Sequence, residues 1–322
     1  MSLSVDNLTI KYKYGDTAID SISFNVKSLQ KLAVLAPTSA GKTSLFKTLA
    51  GLLKPASGSV CLSGVNLYDI NPKNRNIIAI SSDLWIKKHR TLMSTLSEPL
   101  KLRGVSQAER RKLVISAAYR FGIYPNLTDL GSQLHDDDAL RCAFARSSLR
   151  SADLFLIDNV FSILKGDERS KLFNELIPYI KSITAPLVFM TDSPDEAFTI
   201  GDNVLILNFG IFQQLDTPEI ILKSPATLFV DKYIFPYKTR SVVNINGLSL
   251  YYSRSYIESS DDNSFIPSKG LIYKNLTPFA ILEGDIMIPI SKLPLKTEYS
   301  ITEDKSSINY FTTNDEKKYT LI

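Results

Sequence analysis

The segment Leu35–Ser44, LAPTSAGKTS, holds the residues whose types and spacing point most directly to chemistry. Gly41, Lys42 and Thr43 fill the last places of the phosphate-loop pattern G-x-x-x-x-G-K-[ST], and Ala36 stands where the first glycine would be. Such a loop works because successive backbone N–H groups and the N-terminus of the following helix converge on an anion. The lysine adds a point charge for the outer phosphates, and the Ser or Thr hydroxyl can ligate Mg²⁺. The residues expected to hold a nucleotide are therefore Pro37, Thr38, Ser39, Ala40, Gly41, Lys42, Thr43 and Ser44, with Thr43 also on the metal. The competing reading is a glycine-containing turn that binds nothing, and Ala36 leaves it open.

Elements suited to positioning such a loop flank it. Lys31–Leu35, KLAVL, is a short apolar run fit for a buried strand, and GKTSLFKTLAGLL spaces Leu45, Leu49, Leu52 and Leu53 as a helix does. A metal held by Thr43 needs a second, carboxylate-bearing strand. DLFLID supplies one, ending in Asp158, and LVFMT at 187–191 supplies a further strand. Between them DERSKLFNELIPYI places Leu172, Phe173, Leu176 and Ile177 at a 3.6-residue period. The expected fold is α/β, a sheet wound around a nucleotide.

Composition sets the outer bounds. A chain of 322 residues is long for one domain, so two are expected. Its 37 basic and 33 acidic side chains leave a formal charge of +4, too mild to argue for nucleic acid. Cys61 and Cys142 are the only cysteines, and the start of the chain lacks a leader pattern, so a reducing, cytosolic setting is expected. No apolar run approaches the roughly 20 residues that a membrane helix requires.

Several segments, taken together, resemble a known family. APTSAGKTSLFKTLAGLLKPASGSVCLSG, EPLKLRG, ALRCAFARSSLRSADLFLID and GIFQQLDTPEIILKSPATLFV fall in the order and spacing of the ATPase subunit of ABC importers, in the maltose-type branch for sugars and polyols. The resemblance spans residues 1–235 and implies a P-loop ABC-type nucleotide-binding domain. It also implies a small C-terminal OB-like β domain over 236–322. The Asn246-Gly247 hairpin signal between SVVNI and LSLYY and the alternating GDIMIPI suit that domain, which is shorter than is usual for the family.

The resemblance further implies ATP and Mg²⁺ as ligands. Tyr14 would stack on adenine, with Tyr12 as a rival, Asp158 would be linked to the metal, and Arg141 and Arg146 would be basic positions on the helix after the signature. The catalytic positions depart from the family. Asn159 replaces the glutamate that polarises water, a loss of general-base chemistry worth roughly 10²–10⁴ in rate. Ser82 replaces a glutamine, and Asp192 replaces the histidine that contacts the γ-phosphate. A carboxylate there only accepts hydrogen bonds and adds repulsion. The signature becomes LHDDD, Leu134–Asp138, placing acids at an anion site. The plainer reading is that Asp136–Asp138 cap a helix and favour its positive end. His135 with these acids is a poor metal site, because only His89 exists elsewhere. Trp85 falls where the family meets its membrane subunits, and Ser106 and Glu109 have capping-box spacing.

In the family two such domains stack head to tail, each site pairing one chain's phosphate loop with the other's signature. The expectation is therefore a hydrolysis-deficient ATP-binding subunit of a carbohydrate or polyol importer. Its partners would be transmembrane permease subunits and a second, intact ABC ATPase, with no nucleic acid, and it would lie in the cytoplasm, peripheral on the inner face of the cell membrane. Two alternatives remain: an active ATPase using atypical residues, Asp192 foremost, and a decaying paralogue.

Overall fold

In a computed structural model, the chain separates into two compact units, Met1–Pro218 and Glu219–Ile322. The structure describes residues 1–12, 15–82 and 87–235 and, beyond these, the backbone of the strand segments given below.

The first unit opens with β1 (Ser2–Lys11), β2 (Thr17–Lys27) and β3 (Lys31–Leu35), followed by α1 (Lys42–Leu49), β4 (Ser57–Leu62), β5 (Val65–Asn66) and β6 (Ile77–Ser81). Helices α2 (Leu92–Leu102), α3 (Gln107–Arg120) and α4 (Asp136–Ser148) come next. The unit finishes with β7 (Leu154–Asp158), α5 (Gly166–Ser182), β8 (Leu187–Thr191), α6 (Pro194–Ile200), β9 (Asn203–Asn208) and β10 (Ile211–Asp216).

Two sheets form. One is antiparallel in the order β2-β1-β4-β5, and the other runs β10-β9-β3-β8-β7-β6, with β9, β3, β8, β7 and β6 parallel. Strands β3, β7 and β8 are buried at every position because both faces of the sheet are covered. Their side chains alternate between two cores, as the two-residue strand period requires. Phe155, Ile157, Leu187 and Phe189 pack with helices α2 to α5. Leu154, Leu156, Val188 and Met190 pack with Leu45, Leu49 and the antiparallel sheet.

The strand expectations at Lys31–Leu35, at the segment ending in Asp158 and at 187–191 all correspond to observed strands. The first helix is shorter than its pattern suggested. It ends at Leu49, Gly51 turns into the left-handed region at φ +74°, and Leu52 lies exposed. A hydrogen bond of 2.9 Å from Arg75 to the Gly51 carbonyl holds that turn, so the apolar spacing runs past a glycine stop.

The second unit begins after Pro218, so that α7 (Pro218–Lys223) lies at its start and α8 (Leu228–Ile234) within it. Antiparallel pairs follow. β11 (Arg240–Ile245) pairs with β12 (Leu248–Ser253), β13 (Gly270–Lys274) with β14 (Thr277–Leu282) and β15 (Ile286–Pro289), and β16 (Asn309–Phe311) with β17 (Lys318–Thr320). Asn246 and Gly247 lie outside the described residues. The flanking strands pair with Ile245 opposite Leu248, the register of a two-residue hairpin. The remainder of the expected OB-like domain also lies outside the described residues.

Candidate functional site

The loop between β3 and α1 leaves the sheet at the C-terminal ends of its parallel strands, where open α/β sheets place their ligands. Leu35 pairs in register with Thr191 of β8, and the Ala36 N–H donates to the Thr191 carbonyl at 3.2 Å. Gly41 is required twice over. Its φ is +92°, and a Cβ there would stand 2.3 Å from the Ala18 carbonyl oxygen. Ala36 is absent from the positive-φ residues, so its backbone needs no glycine. That removes the local objection to Ala36 as a loop residue. Ser39, at φ +65°, is the loop's non-glycine residue in the left-handed region.

Lys42 is buried, and its Nζ donates to the carbonyls of Ala36 and, at 2.7 Å, of Pro37. Burial pulls its pKa below the usual lysine range, while the negative charges of Asp192 and Asp158 push the other way. Both carboxylates therefore stand near the ammonium. Thr43 is exposed beside it, whereas Ser44 turns inward and donates to the Tyr12 hydroxyl at 3.1 Å. This bond ties Tyr12, the rival aromatic, to the first turn of α1. Tyr14 lies outside the described residues.

The other site candidates converge at the ends of neighbouring strands. Ser82 follows β6, and its N–H donates to the Asp158 carbonyl at 3.3 Å. Asp158 ends β7 and is buried. Asn159 follows in the left-handed region at φ +48°, a conformation asparagine tolerates better than most residues. Its N–H bonds the Met190 carbonyl at 2.8 Å, and its buried side-chain oxygen has no hydrogen-bond partner. Such an orphaned acceptor is characteristic of functional sites.

Asp192 lies just past β8, and its Oδ1 accepts from Arg169 at 3.1 Å, so a cation offsets part of its charge. Arg169 also donates from Nε to Glu196 at 2.7 Å, and the Thr191 hydroxyl donates to the other Glu196 oxygen at 2.5 Å. Glu196 is buried. Sequence reasoning missed both Arg169 and Glu196. The S-x-x-E spacing of Ser193 and Glu196 was a legible signal for the start of α6, where Ser193 Oγ accepts from the Glu196 N–H at 3.4 Å.

The LHDDD segment stands apart from this chain's own phosphate loop. Leu134 packs on the core of α2 to α5, whereas Ala36, Ala40 and Leu45 pack on the other. Helix α4 begins at Asp136 with His135 as N-cap and no capping side chain, so Asp136, Asp137 and Asp138 occupy the first turn and do not cap it. Their charges still favour the helix N-terminus. Asp138 accepts from Asn126 at 3.3 Å. On the same helix Arg141 pairs with Glu175 and Arg146 with Glu98. Trp85 lies outside the described residues. Among the described residues no group of His, Cys, Asp and Glu could hold a metal by itself, and no helix is long and apolar enough to cross a membrane. A cavity of about 270 Å³ lies along the free edge of β6, lined by Thr95, Cys142, Arg146 and Arg150, away from the phosphate loop.

The residues at the strand ends suit a magnesium nucleotide. Thr43 offers an exposed hydroxyl and Asp158 a carboxylate near Lys42, which is the hard-oxygen donor set that Mg²⁺ takes.

Comparison with known proteins agrees with this geometry. The ABC transporter family model matches residues 19–162. The chain is similar to the spermidine/putrescine import ATP-binding protein PotA of Nitrosomonas eutropha, 28% identical over 69% of this chain and 61% of that protein. It is also similar to the sn-glycerol-3-phosphate import ATP-binding protein UgpC of Chromohalobacter salexigens, 28% identical over 72% of this chain and 63% of that protein. The chain thus spans less than two thirds of the length of these relatives. Among solved structures, cbiO1 from Clostridium perfringens, part of the ABC transporter complex cbiONQ, shares the fold at a TM-score of 0.60 and 21% identity, covering 69% of this chain and 90% of that one. With its phosphate loop, wound parallel sheet and strand-end carboxylate, the region matched at residues 19–162 is similar to an ABC transporter ATP-binding domain.

Proposed function

We propose that this chain is the ATP-binding subunit of an ABC importer and that it holds Mg-ATP while hydrolysing it poorly. The observation that carries this reading is the convergence of Ser82, Asn159 and Asp192 on the ends of β6, β7 and β8, beside a phosphate loop whose Lys42 and Gly41 are fully supported. Lys42, Thr43 and the loop backbone from Pro37 to Ser44 bind the phosphates. Thr43 and Asp158 hold Mg²⁺, which would neutralise phosphate charge, and an aromatic from the Tyr12–Tyr14 segment stacks on adenine. Among the described residues at the strand ends, no side chain replaces the missing glutamate: Asn159 cannot accept a proton, and Asp192 is engaged by Arg169.

The partners are transmembrane permease subunits and a second, intact ABC ATPase, and the location is the cytoplasmic face of the membrane. The resemblance of residues 1–235 to the maltose-type branch supports a carbohydrate or polyol as solute, and the glycerol-phosphate importer among the relatives is consistent with it. A polyamine solute is the second reading, favoured by the spermidine/putrescine importers that match equally well.

The test combines binding with turnover. Calorimetry of the purified chain should show saturable Mg-ATP binding, with phosphate release below about 0.01 s⁻¹, far under the usual range for enzymes. Turnover at 1 s⁻¹ or above would establish the active-enzyme alternative, and absence of nucleotide binding would establish the decayed one. In ultracentrifugation with Mg-ATP, a tight homodimer would remove the need for an intact partner.

A further inference from the structure

We infer that the Arg169–Asp192 pair makes this site discriminate against the γ-phosphate, so that the chain holds ADP at least as tightly as ATP. The inference rests on the nucleotide-binding reading above and concerns which nucleotide the same site prefers.

A chain of contacts places the pair. The Ala36 N–H bonds to the Thr191 carbonyl, the Thr191 hydroxyl to Glu196, Glu196 to Arg169, and Arg169 to Asp192. Asp192 follows Thr191, which pairs in register with Leu35 at the start of the loop, and its charge acts on Lys42, whose Nζ donates to the Ala36 carbonyl. The lysine that must meet the outer phosphates thus already feels the charge of a carboxylate that an arginine holds.

That arginine cannot easily move toward a phosphate. Its Nε is committed to Glu196, which is buried and accepts a second bond from Thr191. A buried carboxylate holds its cation firmly, because losing the partner would strand a charge in low dielectric. Arg169 therefore stays with the pair, and Asp192 stays at the strand end. Lys42 is a tether of the same kind, since its other bonds go to the loop itself.

ADP and ATP differ by one anionic phosphoryl group at the end of the chain. The α- and β-phosphates lie over the loop backbone and the start of α1, where N–H groups dominate. A γ-phosphate would extend beyond Lys42, and the end of β8, which pairs with the start of the loop, stands next to that place. A carboxylate there repels it, and Arg169 offsets part of that repulsion through a charge one step further away. The sign of each substitution follows. Removing the Asp192 charge takes away the repulsion and leaves Lys42 to meet the γ-phosphate, while Arg169 stays on Glu196. Removing the Arg169 charge takes away the bond that offsets part of the Asp192 charge.

The experiment measures ATP and ADP affinities by calorimetry on the full chain, with and without Mg²⁺. The unmodified chain should bind ADP as tightly as ATP or more tightly. Asp192→Asn should raise ATP affinity about tenfold and change ADP affinity by less than about twofold. Asp192→Ala should act in the same direction. Arg169→Gln should lower ATP affinity about fivefold, and it should lose that effect when combined with Asp192→Asn, the signature of coupled neighbours. Because Arg169→Gln also strips Glu196 of its partner, the two Asp192 variants, which keep the Arg169–Glu196 bond, decide the matter. Equal changes for ATP and ADP would assign the pair a purely structural role and overturn the inference. A loss of ATP affinity in Asp192→Asn confined to Mg²⁺ would make Asp192 a metal ligand and overturn it too. A chain that binds neither nucleotide would overturn the nucleotide-binding reading itself, a result distinct from either.

Discussion

The phosphate loop and the ends of β6 to β8 sit side by side on one sheet edge, yet they tolerate change differently. The loop does its work with backbone groups. Gly41 keeps the only conformation and clearance that its place allows, and Ala36 needs no glycine φ. Side chains there can vary while the N–H cradle survives. The strand ends would do their work with side chains, and there the residues present suit their own surroundings. Asn159 fits a left-handed backbone, and Asp192 is locked to Arg169. Binding and hydrolysis can therefore separate in one domain, because the first is written in the backbone and the second in a few functional groups.

The largest test of that contrast is reversion. Asn159→Glu, Asp192→His and Ser82→Gln, together with replacement of Leu134–Asp138 by the family's signature, should raise phosphate release by about 10³-fold or more. Each single reversion should stay within about tenfold of the unmodified chain. Asn159→Glu should in addition cost roughly 1 kcal/mol of stability, because glutamate is less at ease at φ +48°. Recovery by Asn159→Glu alone, read in a phosphate-release assay, would show that one side chain had been limiting.

On the loop side, Lys42→Ala should weaken Mg-ATP binding by about 10²-fold, since it removes the phosphate charge and leaves the Ala36 and Pro37 carbonyls without their donor. An unchanged affinity in calorimetry would break the assignment of this loop. Gly41→Ala should destabilise the domain by about 2 kcal/mol, because the backbone of Ala18 blocks the new methyl and φ is positive. Thermal denaturation reads that effect, and a melting temperature equal to the parent's would show that the loop has slack.

The smallest effect sits at the LHDDD turn. Burial first, then the charges of Asp137 and Asp129, holds the Asp138 carboxyl above the usual carboxylate range against the pull of Arg141 and His135. A raised carboxyl destabilises the fold when ionised. The cost is absent below its unfolded pKa near pH 4 and grows as pH rises through the folded value. Asp138→Asn should therefore stabilise the protein at pH 7 by a few tenths of a kcal/mol, after solvent screening, and have no effect below about pH 4. Urea midpoints at the two pH values check the sign.

Much of this domain was legible in the chain. The loop stood out because Gly-Lys-Thr follows a buried apolar run, and Asp158 because it ends another. Both signals are local, and local chemistry survives in a linear string. The end of α1 at Leu49 was less legible, since apolar spacing continues to Leu53 while Gly51, held by Arg75 from a distant segment, turns the backbone away. The first turn of α4 was misread for a related reason: Asp136 looks like a cap until the helix is seen to begin with it.

What the sequence determined by itself was the phosphate cradle, the wound sheet and the identity of the residues at Ser82, Asn159 and Asp192. What only the tertiary structure decided was the company those residues keep. Arg169 is 23 positions from Asp192 and 27 from Glu196, on a different element, and nothing in their spacing foretells an ion pair. Charge acts through space while sequence records order along the chain, so whether Asp192 stands alone or compensated is settled only when α5 packs beside β8 and α6.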